Sequence, residues 1–371
     1  MLKNQAYPHS SIDVANYPAT SWKYPASNYT EWFAAFSALS TGQTEVAATF
    51  GTFGGGGNLY RSSCLAPNGK IYCPPYSATN IGIIDPSTDT FSTMASGLTD
   101  GSYMSSVLAW NGKIYCAPLT LGSGSGIIEI DPTTDTMRII IGNGFGTGTQ
   151  KWIGGTLANN GKIYYAPYDS PNILEFDPAT DRIRLIDISG VTAGTAKFRG
   201  AQLAPNGKIW LISYTTSVFG IFDPADDSYT TVAHGLGAGP NFERCTIYQY
   251  IHAMRADTGF SQIARIDPAT NAIVTYAATG SLAGTVLGAT KNVYGVPWTA
   301  SAVVKHDTTT FAVSTFGSLG ATAAKWAGGS LAFNGAIYAP PFNATTCLKI
   351  LSTVSPDLSE DIVLSRYINK N

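Results

Sequence analysis

Apolar residues in this chain come in short bursts of three to six, cut by polar clusters rich in Gly, Pro, Asn and Asp. Runs such as Ile81–Asp85 (IGIID), Ile173–Asp177 (ILEFD) and Ile263–Asp267 (IARID) have the length and β-branched content of strands. Each is followed by a turn: DPSTD, DPATD or DPATN, where proline presets φ and the leading aspartate can accept from backbone N–H groups ahead of it. Each is preceded by LAxNGKIY or a relic of it, in which Asn-Gly predicts a two-residue hairpin with positive φ at both residues. The proline that closes KIYxxPY sits at a strand end, where a missing N–H matters little.

The bursts recur at a fixed period. Anchored on the leucine of LAxNGKIY, units start at Leu65, Leu108, Leu157, Leu203, Ile247, Leu287 and Leu331, with steps of 40 to 49 residues. Seven residues on stand Tyr72, Tyr115, Tyr164, Trp210, Met254, Tyr294 and Tyr338. Thirteen further on comes an aspartate in Asp85, Asp177, Asp223, Asp267 and Asp307; the insertion LGSGSG (Leu121–Gly126) delays it to Asp131 in the second unit, and Leu351 replaces it in the last. Four strands per unit and seven units predict an all-β, seven-bladed β-propeller of four-stranded antiparallel blades. The last unit lacks its Asp-Pro turn, so EVAATF (45–50) is expected to complete the seventh blade and remove its free edge; DIVLSRYI (361–368) is the rival. The domain reading is an N-terminal arm over 1–44 and a propeller over 45–371.

Residues 1–44 stand outside the repeats. They carry Tyr17, Trp22, Tyr24, Trp32, Phe33 and Phe36, with a short helix predicted over 30–39, and rings in that number must be buried somewhere. Two readings stay open: a tail packed over the propeller, or an arm that docks on other proteins of an assembly.

Among the 371 residues only 12 % are charged and the formal net charge is −2, so nothing attracts nucleic acid or an anionic membrane from a distance. There is no membrane-length apolar run and no signal-peptide pattern, and the five cysteines form no CxxC pair or zinc spacing. Neither a metal nor a cofactor is expected, and protein partners and a glycan are the expected ligands.

The wording KWxGGxLAxNGKIYxxPY…ILxxDPATD, fullest at 151–181 and back at 325–342, resembles the repeats of the broad streptogramin-lyase, NHL and YVTN propeller group. The same wording is similar to repeat proteins of phages, bacteria and protists. The lyase resemblance implies a metal-assisted histidine and glutamate site in the channel. Against it stand only four histidines, His9, His234, His252 and His306, none in an HxxH or HxE pattern. Eleven of the 24 carboxylates fall in the Asp-Pro turns, where turn capping accounts for them, and Glu129, Glu175, Glu243, Asp169 and Asp257 are too scattered for a catalytic pair.

A four-strand meander puts the Asn-Gly and Asp-Pro turns on one face and the loops before the first and after the second strand on the other. On that second face, five residues before the anchors, stand Tyr60, Tyr103, Trp152, Phe198, Phe242, Leu282 and Trp326. Eleven residues after the anchors stand Tyr76, Leu119, Tyr168, Tyr214, Thr258, Trp298 and Phe342. Arg61, Lys151, Lys197, Arg199, Arg244 and Lys325 gather beside the first ring. Such a face could stack sugars or grip an acidic partner. Identical use in every blade also looks like interblade packing, which is favoured for most of the ring, leaving the irregular positions Arg61, Arg199, Glu243 and Arg244 as the informative ones. The function expected from these features is a non-enzymatic structural or binding propeller of a large assembly. The setting expected is a phage virion (tail, fibre or capsid-associated), anchored through residues 1–44, assembled in host cytoplasm and touching a host glycan. The alternatives are a lyase or hydrolase with its site in the channel, and a stand-alone carbohydrate-binding propeller.

Overall fold

The computed structural model describes residues 44–52, 57–98, 102–120, 126–142, 145, 149–239, 242–255, 262–278, 280–322 and 324–352. The expectations for Tyr17, Trp22, Tyr24, Trp32, Phe33, Phe36, the helix at 30–39, Thr258 and the strand at 361–368 lie outside the described residues. The described strands form seven four-stranded antiparallel sheets. Blade 3 is typical: Trp152–Leu157, Ile163–Pro167, Asn172–Asp177 and Arg182–Asp187 pair in sequence order. The first strands of successive blades touch one another in a closed ring, so they surround the central axis. The chain is a seven-bladed β-propeller.

The seventh sheet closes with residues from both ends of the repeat array. Ser330–Leu331, Ala336–Ala339 and Cys347–Leu351 supply its first three strands, and Val46–Phe50 is the fourth, paired Val46 with Leu351 through Phe50 with Cys347. Closing the ring this way covers the strand edge that the missing last turn would leave open.

Burial follows the pleat. The second and third strands of each blade are buried almost throughout, as in Ile163–Pro167 and Ile209–Ser213, because neighbouring blades cover both of their faces. Fourth strands such as Thr90–Ala95 alternate exposed and half-buried, as outer strands with one wet face should. The core is accordingly a set of interblade clusters; one runs from Tyr115 and Val107 to Trp152 and Phe176 of the next blade.

Two turn details differ from the sequence expectation. At the Asn-Gly hairpins only glycine has positive φ: Gly69 lies at 83°, and its N–H donates to the Ala66 carbonyl at 3.0 Å, with Pro67 and Asn68 as the central turn residues. The hairpin is therefore one residue longer than a two-residue loop, with glycine as the left-handed bulge. This conformation leaves the asparagine side chain free to reach sideways, and Asn68 Nδ2 donates to Pro132 O in the next blade at 2.7 Å.

The Asp-Pro turns do more than cap. Their leading aspartates cap as expected: Asp177 Oδ1 accepts from Ala179 N at 2.9 Å. In blades 1 to 4 the residue just before the fourth strand instead reaches back to the preceding blade. Tyr72 of blade 1 donates to Asp135 of blade 2, Arg138 of blade 2 pairs with Asp181 of blade 3 at 2.7 Å, Arg184 of blade 3 pairs with Asp227 of blade 4, and Tyr338 and Lys349 of blade 7 hold Asp89 of blade 1, each at 2.6 Å. These four aspartates have φ between 50° and 60°, the left-handed region that aspartate tolerates. Blade 6 has Phe311 at this position, φ 60°, and Arg265 of blade 5 lies 4.1 Å from its ring centre, a cation–π contact in place of an ion pair. In blade 7, Glu45 stands directly before Val46–Phe50 and takes Lys305 Nζ and the Tyr294 hydroxyl of blade 6, each at 2.8 Å. Each staple joins residues 40 or more apart in the chain.

Glu129 and Glu175, scattered in the sequence, occupy matching positions on third strands. Glu129 is buried against Lys113, Tyr115 and Arg138, and Glu175 against Lys162 and Arg184. Burial alone would raise both carboxyls, but the paired cations outweigh it and hold them below the usual range.

Candidate functional site

The geometry of the second face starts from a bulge. In blades 3 to 6 the first strand slips register near its start, between Trp152 and Gly155, Phe198 and Gly200, Phe242 and Arg244, and Leu282 and Thr285. A bulge re-aims the residues within it. In blade 3 the bulge requires glycine: Gly154 has φ 76°, and a Cβ there would lie 2.8 Å from Gly200 Cα of the next blade. The residue five before the anchor turns between blades, and the following one turns toward the axis.

This sorts the predicted face into three groups. Tyr60, Tyr103, Trp152, Phe198, Phe242 and Trp326 are at most 3 % exposed and belong to interblade clusters. Their polar atoms are used internally: Trp152 Nε1 donates to Asn172 O at 2.9 Å, and Trp326 Nε1 to Thr346 O at 2.6 Å. As ligand-stacking rings they have no free face, and packing is the work their positions perform. Lys197 and Lys325 are also buried. Their ammonium groups donate to carbonyls, Lys197 to Ser170 O at 2.7 Å and Gly194 O at 2.9 Å, and Lys325 to Ala300 O at 2.8 Å and Thr322 O at 3.0 Å. Burial pushes both below the usual lysine range. Lys151 is half-buried and contributes its backbone N–H, to Leu119 O at 2.8 Å.

The third group, Arg61, Arg199, Glu243 and Arg244, meets on the axis. Glu243 is buried and accepts from Arg61 Nη2 at 2.7 Å and from Arg199 Nη1, residues 182 and 44 positions away in the chain. Arg244 turns to the opposite side of the same layer and donates to Arg61 O at 2.6 Å and Met104 O at 2.9 Å. Burial would raise the Glu243 carboxyl, but the Arg199 and Arg61 guanidiniums outweigh that and hold it at about 2. Burial, with Arg61 and Arg199 as like charges, brings Arg244 down to about 10 despite Glu243.

Around this cluster stand the rings eleven residues after the anchors. Arg61 lies 5.6, 5.0 and 5.2 Å from the ring centres of Tyr76, Trp298 and Phe342, and Arg199 lies 3.6 Å from Tyr214 and 5.2 Å from Tyr168. Trp298 and Phe342 are 4.6 Å apart, Tyr76 and Phe342 5.6 Å, Tyr168 and Tyr214 5.7 Å. A backbone girdle fixes these rings: Tyr168 N donates to Lys151 O within its blade while Tyr168 O accepts from Lys197 N of the next, and the same link recurs at Trp298 and Lys325 and at Phe342 and Leu59. Tyr76, Tyr214 and Trp298 remain half-buried, so the channel mouth is a preorganised aromatic floor with guanidiniums among the rings. The regular spacing flagged these rings in the sequence. Arg61, Arg199 and Glu243 share the position four residues before the anchors, a spacing that the sequence reading passed over in favour of their irregular chemistry.

The described histidines, His234, His252 and His306, stand apart from this cluster. His234 Nε2 lies 2.9 Å from Thr216 O. His252 and His306 face each other between blades 5 and 6, ring centres 5.2 Å apart, beside Tyr276 and Phe311. Burial, joined at His252 by the neighbouring His306, lowers both to about 4. Unfolded imidazoles take up protons as pH falls through about 6.5, folded ones only near 4. The unfolded state therefore binds more protons in that window, and this contribution to stability is lost as pH falls from about 6.5 toward 4. Urea midpoints of the wild type should drop over that window by the equivalent of a few kcal/mol, at roughly 1.4 kcal/mol for each pH unit that separates the folded from the unfolded imidazole. In His306→Phe the drop should shrink by half or more; an unchanged slope would show that the pair does not titrate on unfolding. No group of three or more His, Cys, Asp or Glu side chains arranged to hold a metal ion occurs among the described residues.

No family model matches this sequence, and no curated protein sequence does. Solved structures do match in shape. A streptogramin B lyase superposes with TM-score 0.67 at 14 % identity, over 82 % of this chain and 97 % of its own. Virginiamycin B lyase from Staphylococcus aureus gives TM-score 0.67 at 12 % identity, over 83 % of this chain and all of its own. An auxiliary nutrient binding protein from Bacteroides ovatus gives TM-score 0.55 at 12 % identity, over 83 % and 76 %. Matches at this identity share the fold.

Proposed function

We propose that this chain is a non-enzymatic binding propeller that takes a saccharide at the aromatic mouth of its second face and works as a component of a larger assembly joined through residues 1–44. The observation that carries the ligand reading is the preorganised floor of Tyr76, Tyr214 and Trp298, held by the backbone girdle. Rings held rigid and half-wet can stack a sugar without an ordering penalty of their own. The similar shape of a nutrient binding protein fits this reading. The lyase neighbours invite a catalytic one, but Glu243 is engaged by two guanidiniums at a pKa of about 2, a poor general base near neutral pH. The setting we propose is a virus particle, as a tail, fibre or capsid-associated part. Its support is the Gly-rich, weakly charged β scaffold and the aromatic segment before it.

A glycan array probed with the purified full chain tests the ligand. Binding to at least one saccharide is expected, weakened about ten- to a hundredfold by Trp298→Ala or Tyr214→Ala, as loss of one stacking ring should do. Silence across the array, with tryptophan fluorescence unmoved by added saccharides, would count against the mouth as a sugar site. The assembly is tested by what co-purifies with the native protein. A particle component that is retained by the full chain and released on removal of residues 1–44 is expected; a free monomer with or without that segment would sink the docking reading.

A further inference from the structure

Behind the mouth, on the Asn-Gly side of the Arg61–Glu243–Arg199 layer, the channel widens into a cavity of about 180 Å3. Its wall is made of small residues one to three positions before the anchors, so neighbouring first strands leave space on the axis instead of filling it. Arg199 and Arg244 line it together with the hydroxyl-bearing Ser63, Ser106 and Thr285 and the amide-bearing Gln202, and the Arg199 guanidinium itself turns back to Glu243 and the Tyr214 ring. Among the described residues no carboxylate lines it.

The charge here does not balance. Among the described residues three guanidiniums, Arg61, Arg199 and Arg244, share the one carboxylate of Glu243. Arg244 spends one nitrogen on two backbone carbonyls, which satisfies geometry but brings no counter-charge. The Nε atoms of Arg61 and Arg199 are buried without a hydrogen-bond partner among the described residues. A narrow, poorly solvated channel focuses such an excess of charge. Buried cations without a counter-charge are costly, and an anion placed among them recovers much of that cost.

We propose that this cavity binds a small oxyanion of the phosphate class, held by Arg244 with hydroxyl donors from Ser63 and Ser106. The volume leaves room for the anion and several waters. The site is independent of the saccharide reading, because it lies on the other side of the arginine layer and uses none of the mouth rings.

The probe is inorganic phosphate, titrated calorimetrically into the full chain and paired with thermal unfolding in phosphate against chloride at equal ionic strength. One phosphate per chain is expected, with a rise in unfolding temperature that chloride does not produce. Arg244→Gln removes the main cation, and Gln202→Glu adds a carboxylate to the wall at constant size while leaving Arg244 in place; each should weaken phosphate at least about tenfold. Trp298→Ala, at the mouth, should leave phosphate affinity unchanged. If Arg244→Gln fails to fold, Gln202→Glu alone decides. Equal unfolding temperatures in phosphate and chloride, or wild-type affinity in the folded variants, would overturn the site.

Discussion

Replacing Glu243 with alanine should destabilise the propeller by about 3–5 kcal/mol, read as a lower urea midpoint at pH 7, because it strands Arg61, Arg199 and Arg244 in the channel with no carboxylate among them. A second line of reasoning reaches a similar size. The Glu243 carboxyl sits at about 2 in the folded protein, below its ordinary value of 4.5. A depressed carboxylate contributes stability that is fully present above about 4.5 and is lost as pH falls toward 2, and roughly 1.4 kcal/mol for each pH unit between the two values makes that about 3 kcal/mol. In Glu243→Ala the corresponding acid-limb drop should vanish. The loss should also be rescued in part by removing a cation: Glu243→Ala with Arg199→Met should be more stable than Glu243→Ala alone, a positive coupling because the two groups face each other. If Glu243→Ala melts like the wild type, the cluster is screened by water and the charge argument for the channel cavity weakens with it.

Removal of residues 44–52 should be at least as damaging. Val46–Phe50 makes five cross-strand pairs with Cys347–Leu351, worth roughly 0.2–1 kcal/mol each. Phe50 packs edge-on against Tyr338 at 5.7 Å, and Ala47 joins the cluster between blades 6 and 7. Without them the Cys347–Leu351 edge is bare, so the shortened chain should unfold several kcal/mol earlier and self-associate through that edge, seen as oligomers in size exclusion. Adding a peptide of residues 44–52 should restore the monomer. Glu45→Ala is the mild form: it keeps the strand, releases Lys305 and the Tyr294 hydroxyl, and should cost about 1 kcal/mol. A shortened chain as stable and monomeric as the full one would mean that another segment closes the ring.

The division between local and long-range information is visible residue by residue. Asn-Gly, Asp-Pro and the alternation of apolar positions act over a few residues, so the sequence alone determined the strands, their number per blade and the seven blades. Counting along the meander also grouped Tyr76, Tyr168, Tyr214, Trp298 and Phe342, the rings that surround Arg61 and Arg199. Even so, a local rule misjudged the Asn-Gly hairpin, where proline or another residue ahead of asparagine takes part in the turn and glycine alone carries positive φ.

What only the tertiary structure decided is which residues from different blades meet. Asp181 looks like any turn aspartate until Arg138, 43 residues away, is seen to reach it. Glu45 looks like a strand-end residue until ring closure puts it where Asp89 and Asp135 stand in other blades. Arg61, Arg199 and Glu243 each stand four residues before a repeat anchor, but only the closed ring brings these three blades together on the axis as one cluster, with an unbalanced cavity behind it. The physical reason is that blade identity is set by short-range turn and strand chemistry, whereas the channel is built from one side chain per blade, and its charge is a sum that no single repeat contains.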